Sequence, residues 1–262
     1  MDLQEMLDQA ATGSVHVEEG WGQGRATYGG LVTGLMLSAL RARLPGETDL
    51  PLRAVTISFV APVASGAAEA EATVLRSGSS ATQGQVHLRQ DGQVVAAMLA
   101  SFGAPRESSI AVAPTTQLPA FAGPDEALAL PHLPGRTPDF FAHLDLRLAD
   151  GGLPYSGSET SHMRGWMRFR QAPPRFEEEH LVSLVDAWPP APIQMLDRPR
   201  PGSSLTWTLE IVGDVRAEPD AWWAYEVRTD HAADGYAHTH AHVWRPDGTL
   251  VAISRQTVAV FG

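Results

Sequence analysis

Residues 28–40, Tyr28-Gly29-Gly30-Leu31-Val32-Thr33-Gly34-Leu35-Met36-Leu37-Ser38-Ala39-Leu40, are apolar on nearly every side of a helix, and no other stretch limits the fold as much. A helix that is apolar all round must be enclosed. The Gly29-Gly30 pair permits a tight entry and close backbone approach, charge returns at Arg41, and Pro45-Gly46 stops the helix. At about 13 to 17 residues it is too short for a bilayer, which needs about 20. Protein must therefore wrap it, and no membrane span is expected.

The rest of the chain is long enough to do the wrapping. Its 262 residues, 44% hydrophobic and 19% charged, suit one large globular domain or two ordinary ones. A net charge of -11 with scattered basic residues argues against a nucleic-acid partner, which calls for clustered cations. The absence of cysteine removes disulfides, thiolate metal sites and a thiol nucleophile. The opening Met1-Asp2-Leu3-Gln4-Glu5 lacks the basic and apolar regions of a signal peptide, so the expected location is cytoplasmic.

After the helix come segments with the character of antiparallel strands, over 52–60, 67–75, 82–88 and 94–102, the last two joined by an Asp91-Gly92 hairpin signal. Residues 103–138 carry seven prolines and little periodicity, and read as an extended but packed connection. The second half then repeats the first. Arg89-Gln90-Asp91-Gly92-Gln93-Val94-Val95-Ala96 matches Arg245-Pro246-Asp247-Gly248-Thr249-Leu250-Val251-Ala252 at one constant offset, and Leu31-Val32-Thr33 matches Leu181-Val182-Ser183 in a second apolar helix. The boundaries expected are 1–104 and 139–262 for the two units, with 105–138 between them.

One helix enclosed by a curved antiparallel sheet, twice in tandem, is the α+β layout of a double hotdog. Several segments in order, Tyr28-Gly29-Gly30, Thr56-Ile57-Ser58-Phe59, Arg76-Ser77-Gly78-Ser79, residues 185–191, residues 203–208 and Ser254-Arg255-Gln256, resemble the acyl-CoA thioesterase II family and its thioesterase-like relatives over nearly the whole chain. The resemblance implies two units whose sheets run on into one another, with helices beginning near Gly30 and His180 side by side. It also implies hydrolysis of acyl-CoA in fatty acid metabolism without a cofactor. Acyl-CoA is the expected partner, and a further copy of the chain a second one.

Asp186 stands in the run Leu181 to Trp188, an otherwise apolar helix, and an ionised carboxylate buried there needs partners or a purpose. The other reading is an exposed Asp near the helix end, preparing the turn at Pro189-Pro190. Its counterpart in the first half is Met36. Gln256 shares a strand face with Ala252, Ser254, Val258 and Val260 by the period of two, where an amide must find hydrogen bonds, unless the strand is an exposed edge. Its counterpart is Ala100. By the same period Ser204, Thr206 and Thr208 share one face. The resemblance implies that Asp186 is the catalytic aspartate, Gln256 the water-orienting glutamine, and a hydroxyl of this strand the third member. The match is open between Ser204 and Thr206: Thr206 is favoured as that member, and Ser204 is kept as the alternative and as a substrate contact.

Two further contacts are expected. A backbone N–H around Gly30 would meet the thioester oxygen as it becomes negative, and Arg76, beside the Gly78 turn, would meet the CoA phosphates. His238, His240 and His242 share a strand face, but neighbours of the same face lie roughly 7 Å apart, so they are read as a solvated or interfacial polar face and not as a metal site. The sequence contains no G-x-S-x-G, H-E-x-x-H or P-loop motif. The function expected is hydrolysis of acyl-CoA by a directly activated water. The competing readings are an enoyl-thioester hydratase and a non-catalytic acyl-CoA binding protein.

Overall fold

In the computed structural model, which describes residues 1–46 and 50–261, the apolar segment is a helix. Its neighbours in the first half are α1 (Leu3–Ala11), β1 (Ser14–Val17), β2 (Gly22–Gln23), β3 (Ala26–Thr27), α2 itself (Gly29–Arg41), β4 (Leu52–Phe59), β5 (Gly66–Ser77), β6 (Ala81–Gln90) and β7 (Gln93–Gly103). The second half contains β8 (Leu128–Ala129), β9 (Leu144–Asp150), β10 (Met163–Phe169), α3 (Glu178–Val185), β11 (Gly202–Ile211), β12 (Trp223–Ala233), β13 (Tyr236–Trp244) and β14 (Leu250–Val260). No helix among the described residues is long and apolar enough to cross a membrane.

All strands but the β2–β3 ribbon join one antiparallel sheet in the order β1-β5-β6-β7-β4-β11-β14-β13-β12-β10-β9-β8. Counted outward from the β4–β11 pair the two halves mirror each other as far as β1 and β10, because matching strands meet edge to edge, and β9 and β8 extend the second half further. Thr206 to Glu210 pair there with Ser58 to Ala54. This is the double hotdog anticipated above, and joining the two sheets leaves neither half with a bare edge at the seam. The repeated hairpins differ in one respect. In the first, Asp91 and Gly92 both take positive φ (50° and 76°) in a two-residue turn. In the second, Pro246 stands where Gln90 stands in the first, has no N–H for the ladder, and the loop lengthens so that the Arg245 N–H donates to the Thr249 carbonyl (3.0 Å).

Ten of the 13 residues of α2 are buried, which is what an all-round apolar helix requires. Its polar Thr33 is satisfied by donating to the Gly29 carbonyl (2.8 Å). At its end Arg41 pairs with Glu178 and Glu179 at the start of α3, where carboxylates also suit the helix dipole. The two helices cross tightly: a Cβ added at Gly34 would lie 1.9 Å from Ser183 Oγ, so no larger residue fits without displacing α3. On the other side α1, begun by an Asp2–Glu5 capping box, buries Met6, Leu7 and Ala10. Ser38 Oγ donates to the Leu7 carbonyl (2.7 Å), fixing α1 on α2.

The outer face of the second half is covered by the proline-rich connection. Leu118 and Phe121 pack on Trp166 and Trp244, and Trp166 Nε1 donates to the Ala122 carbonyl (2.8 Å). Earlier in the connection the chain is exposed, with Ile110 and Val112 facing solvent.

Candidate active site

Helix α3 is shorter than the apolar run suggests. It ends at Val185, and Asp186 is its C-terminal cap residue, with Pro189-Pro190 just beyond. That position aims Asp186 at the seam. Its carboxylate accepts a short hydrogen bond from Gln256 Nε2 of β14 and another from the backbone N–H of Gly30 in the first turn of α2. The reading of Asp186 as an exposed turn residue is therefore set aside: it is partly buried and held from three elements. The glycine pair makes this approach feasible, since a Cβ at Gly29 would lie 2.7 Å from Asp186 Oδ2 and 3.0 Å from Phe59 Cζ.

Burial dominates the acidity of Asp186 and pushes its pKa up to about 7, although the bonds from Gln256 and Gly30 act in the opposite direction. Two buried tyrosines, Tyr28 and Tyr225, lie within electrostatic reach of the carboxylate. Tyr28 is fully buried, donates its hydroxyl to the Ser183 carbonyl (2.7 Å) and stacks on Phe140, with centroids 4.2 Å apart. Trp188 stacks on Tyr225, with centroids 5.6 Å apart and planes within 8°. Both tyrosines feel the Asp186 charge, and burial together with that charge holds both phenols well above their ordinary pKa.

The hydroxyl strand requires a correction. The β11–β14 register shifts at Leu205, so Ser204 lies opposite Val258 while Thr206 lies opposite Thr257. One extra residue reverses the alternation. Ser204 thus shares the inward face with Gln256 and Val258, whereas Thr206 is exposed on the outer face with Thr208, whose Oγ1 bonds to Thr56 Oγ1 (3.2 Å). The strict period of two that placed Ser204, Thr206 and Thr208 on one face fails at the bulge, and the structure does not bring Thr206 to Asp186.

The remaining expected residues are spread out. The Gly30 N–H is beside the carboxylate, but it serves Asp186 and so is not directed at a substrate oxygen. Arg76 is exposed at the end of β5, five strand spacings from β14, or ~24 Å along the sheet. Gly78 closes the adjoining turn, its N–H donating to the Ala81 carbonyl (2.9 Å). His238, His240 and His242 lie on the outer face, and the latter two line a cavity of about 410 Å³ beneath residues 115–119 with Arg164, Glu226 and Arg228. Among the described residues no group of three or more His, Asp or Glu is placed to hold a metal ion.

The pseudo-symmetric position carries no such carboxylate–amide pair. Met36 and Ala100 are buried core residues, and the start of α3 is covered by α1, where His180 Nε2 meets Gln4 Oε1 at 3.1 Å. Sequence reasoning overlooked Trp188 and Tyr225. The signal available was an aromatic two residues after the candidate aspartate, and a tyrosine on the inward face of a strand that otherwise reads as core.

An enclosed helix pair and one continuous antiparallel sheet define a tandem hotdog protein, with a carboxylate–amide pair between its halves. Comparison with family models gives the family: residues 17–103 match the acyl-CoA thioesterase N-terminal domain and residues 124–260 the C-terminal domain, so the chain belongs to the acyl-CoA thioesterases and is a thioester hydrolase. Among solved structures, a hot dog protein of unknown function from Alicyclobacillus acidocaldarius superimposes with a TM-score of 0.84 at 23% identity, covering 98% of each chain. The acyl-CoA thioesterase II TesB2 of Mycobacterium marinum superimposes with a TM-score of 0.77 at 23% identity, covering 99% of this chain and 98% of that one. At this identity the likeness speaks for the fold. No curated protein matches the sequence significantly.

Proposed function

We propose that the protein hydrolyses acyl-CoA to a free acid and CoA by direct attack of water, with Asp186 as general base. The observation that carries this reading is the Asp186–Gln256 contact: a partly buried carboxylate with a pKa near 7, oriented by an amide from the opposite element. A carboxylate of ordinary acidity would be a weak base at neutral pH, and burial brings this one to the range where general-base catalysis is most effective. Asp186 takes a proton from water as the water oxygen bonds to the thioester carbon. Gln256 and Ser204, both on the inward face, orient that water. The tetrahedral intermediate then expels the thiolate, which takes the proton back from Asp186. With neither cysteine nor a serine elbow in the sequence, no acyl-enzyme is formed.

The acyl chain runs between α2 and the inner sheet face. Arg76 and the Gly78 turn, distant from Asp186 along the sheet, fit only the far, phosphate-bearing end of CoA. Thiol release from short, medium, long and aromatic acyl-CoAs tests the reading. The parent should release thiol, and Asp186→Asn should lose a factor on the order of 10² to 10⁴ in kcat, the range for loss of a general base. Saturable binding without turnover would favour an acyl-CoA binding protein, and turnover without thiol would indicate hydration of an enoyl substrate.

A further inference from the structure

A hydrolase of this kind needs a hydrogen-bond donor where negative charge develops on the thioester oxygen. The expected donor, the Gly30 N–H, already serves Asp186, and the hydroxyl of Tyr28 serves the Ser183 carbonyl. Tyr225 remains. It lies on the inward side of β12, is only 7% exposed, and among the described residues its hydroxyl has no hydrogen-bond partner. Unlike the enclosed unpartnered groups of the core, this hydroxyl is not sealed within protein, so it is free to donate to a bound molecule.

The surroundings of Tyr225 hold it in place. Its ring is held parallel to Trp188, two residues beyond Asp186. Trp188 in turn is seated against bare backbone: a Cβ added at Gly165 would lie 2.4 Å from Trp188 Cη2. The phenol is therefore fixed by packing, close enough to Asp186 and to Tyr28 for all three to interact electrostatically. Trp188 Nε1, Trp223 Nε1 and Ser183 Oγ are also unpartnered, but they are sealed within protein and no substrate atom can reach them. The Tyr225 hydroxyl does not share that complete enclosure.

We propose that Tyr225 is a catalytic residue of the thioester hydrolysis, its hydroxyl donating a hydrogen bond to the thioester carbonyl oxygen as that oxygen becomes negative. This rests on the hydrolase reading above. Tyr225 transfers no proton: it stabilises charge that exists only along the reaction path, and the substrate fills the hydrogen bond that the free protein leaves unmade. Because the phenol stays protonated over the working pH range, it can act as a donor throughout.

Tyr225→Phe keeps the stack on Trp188 and removes only the hydroxyl. With the acyl-CoA that the parent turns over best, kcat should fall roughly 10- to 1000-fold while KM stays within about twofold, the signature of an interaction made in the transition state. The Tm should stay close to that of the parent, since the hydroxyl makes no hydrogen bond within the protein. A kcat within about twofold of the parent overturns the assignment, as does a rise in KM alone, which would make Tyr225 a wall of the acyl pocket. A fall in activity that tracks a fall in Tm also overturns it. The parent is assayed alongside: absence of thiol release there removes the hydrolase reading itself, whereas an active parent with an unaffected Tyr225→Phe removes only this role.

Discussion

Asp186 sets catalysis and stability against each other, and pH separates them. Its carboxyl is near pKa 7 in the fold and near the ordinary 3.8 in the unfolded chain, so the folded state holds the proton more tightly. Below about pH 4 both states are protonated and the residue costs nothing. As pH rises through 4 to 7 the unfolded chain ionises first, stability falls, and above 7 the full cost is present. On the proposed mechanism activity runs the other way, because only the ionised form accepts a proton from water. The value of kcat/KM should climb with pH with an apparent pKa of about 7 and level off above 8. Asp186→Asn, nearly the same in shape, should match the parent in Tm at pH 4 and exceed it at pH 8, while remaining inactive at both. A flat pH–rate profile from 5.5 to 8.5, or an Asn variant no more stable at pH 8 than the parent, would sink this account. The two polar residues that meet were each noticeable in the sequence as a polar group in an apolar pattern. The function of Gly29, which leaves room for the carboxylate, was not legible, because the contact joins positions 157 residues apart (186 less 29).

The elements were read better in kind than in extent. The all-round apolar pattern of residues 28–40 announces α2 because enclosure leaves that signature in composition. The end of α3 was hidden, since Ala187 and Trp188 continue the apolar run after the backbone has left the helix. The bulge at Leu205 was hidden for another reason: Ser203-Ser204-Leu205-Thr206 has no glycine or proline to mark it, and the extra residue shows only in the pairing with β14. Its consequence can be measured. Ser204→Ala should lower kcat by about tenfold or more, as expected for a group that positions the water. Thr206→Ala, on the outer face, should stay within about twofold of the parent. Near-parental turnover of Ser204→Ala, or a larger loss from Thr206→Ala, would show that the bulge does not choose the hydroxyl. The same assay on the double variant Ser204→Ala/Gln256→Ala adds a check, because two groups acting on one water should lose less together than the product of their separate losses.

At the scale of the whole molecule, the contacts that make the site also hold the halves together. The five-residue β4–β11 seam, the Gly34–Ser183 crossing, the Arg41 pairs with Glu178 and Glu179, the Tyr28 hydroxyl on Ser183 and the Gly30 N–H on Asp186 all pass from one half to the other. The covalent connection takes no part in any of them. Residues 105–115 are exposed, and the connection packs down only afterwards, on the outer face of the second half. Cutting the chain at a specific protease site introduced around Ile110 should therefore leave two fragments that elute together on gel filtration and still release thiol at close to the uncut rate. The fragment covering 1–104, expressed alone, should be insoluble or self-paired, because it would expose both the β4 edge and the apolar side of α2 that α3 covers. Separation of the cut fragments into soluble, independently folded monomers would mean that the seam is a minor contact, and a site built across it from Gly30 and Asp186 would then lack the rigid support that its chemistry needs.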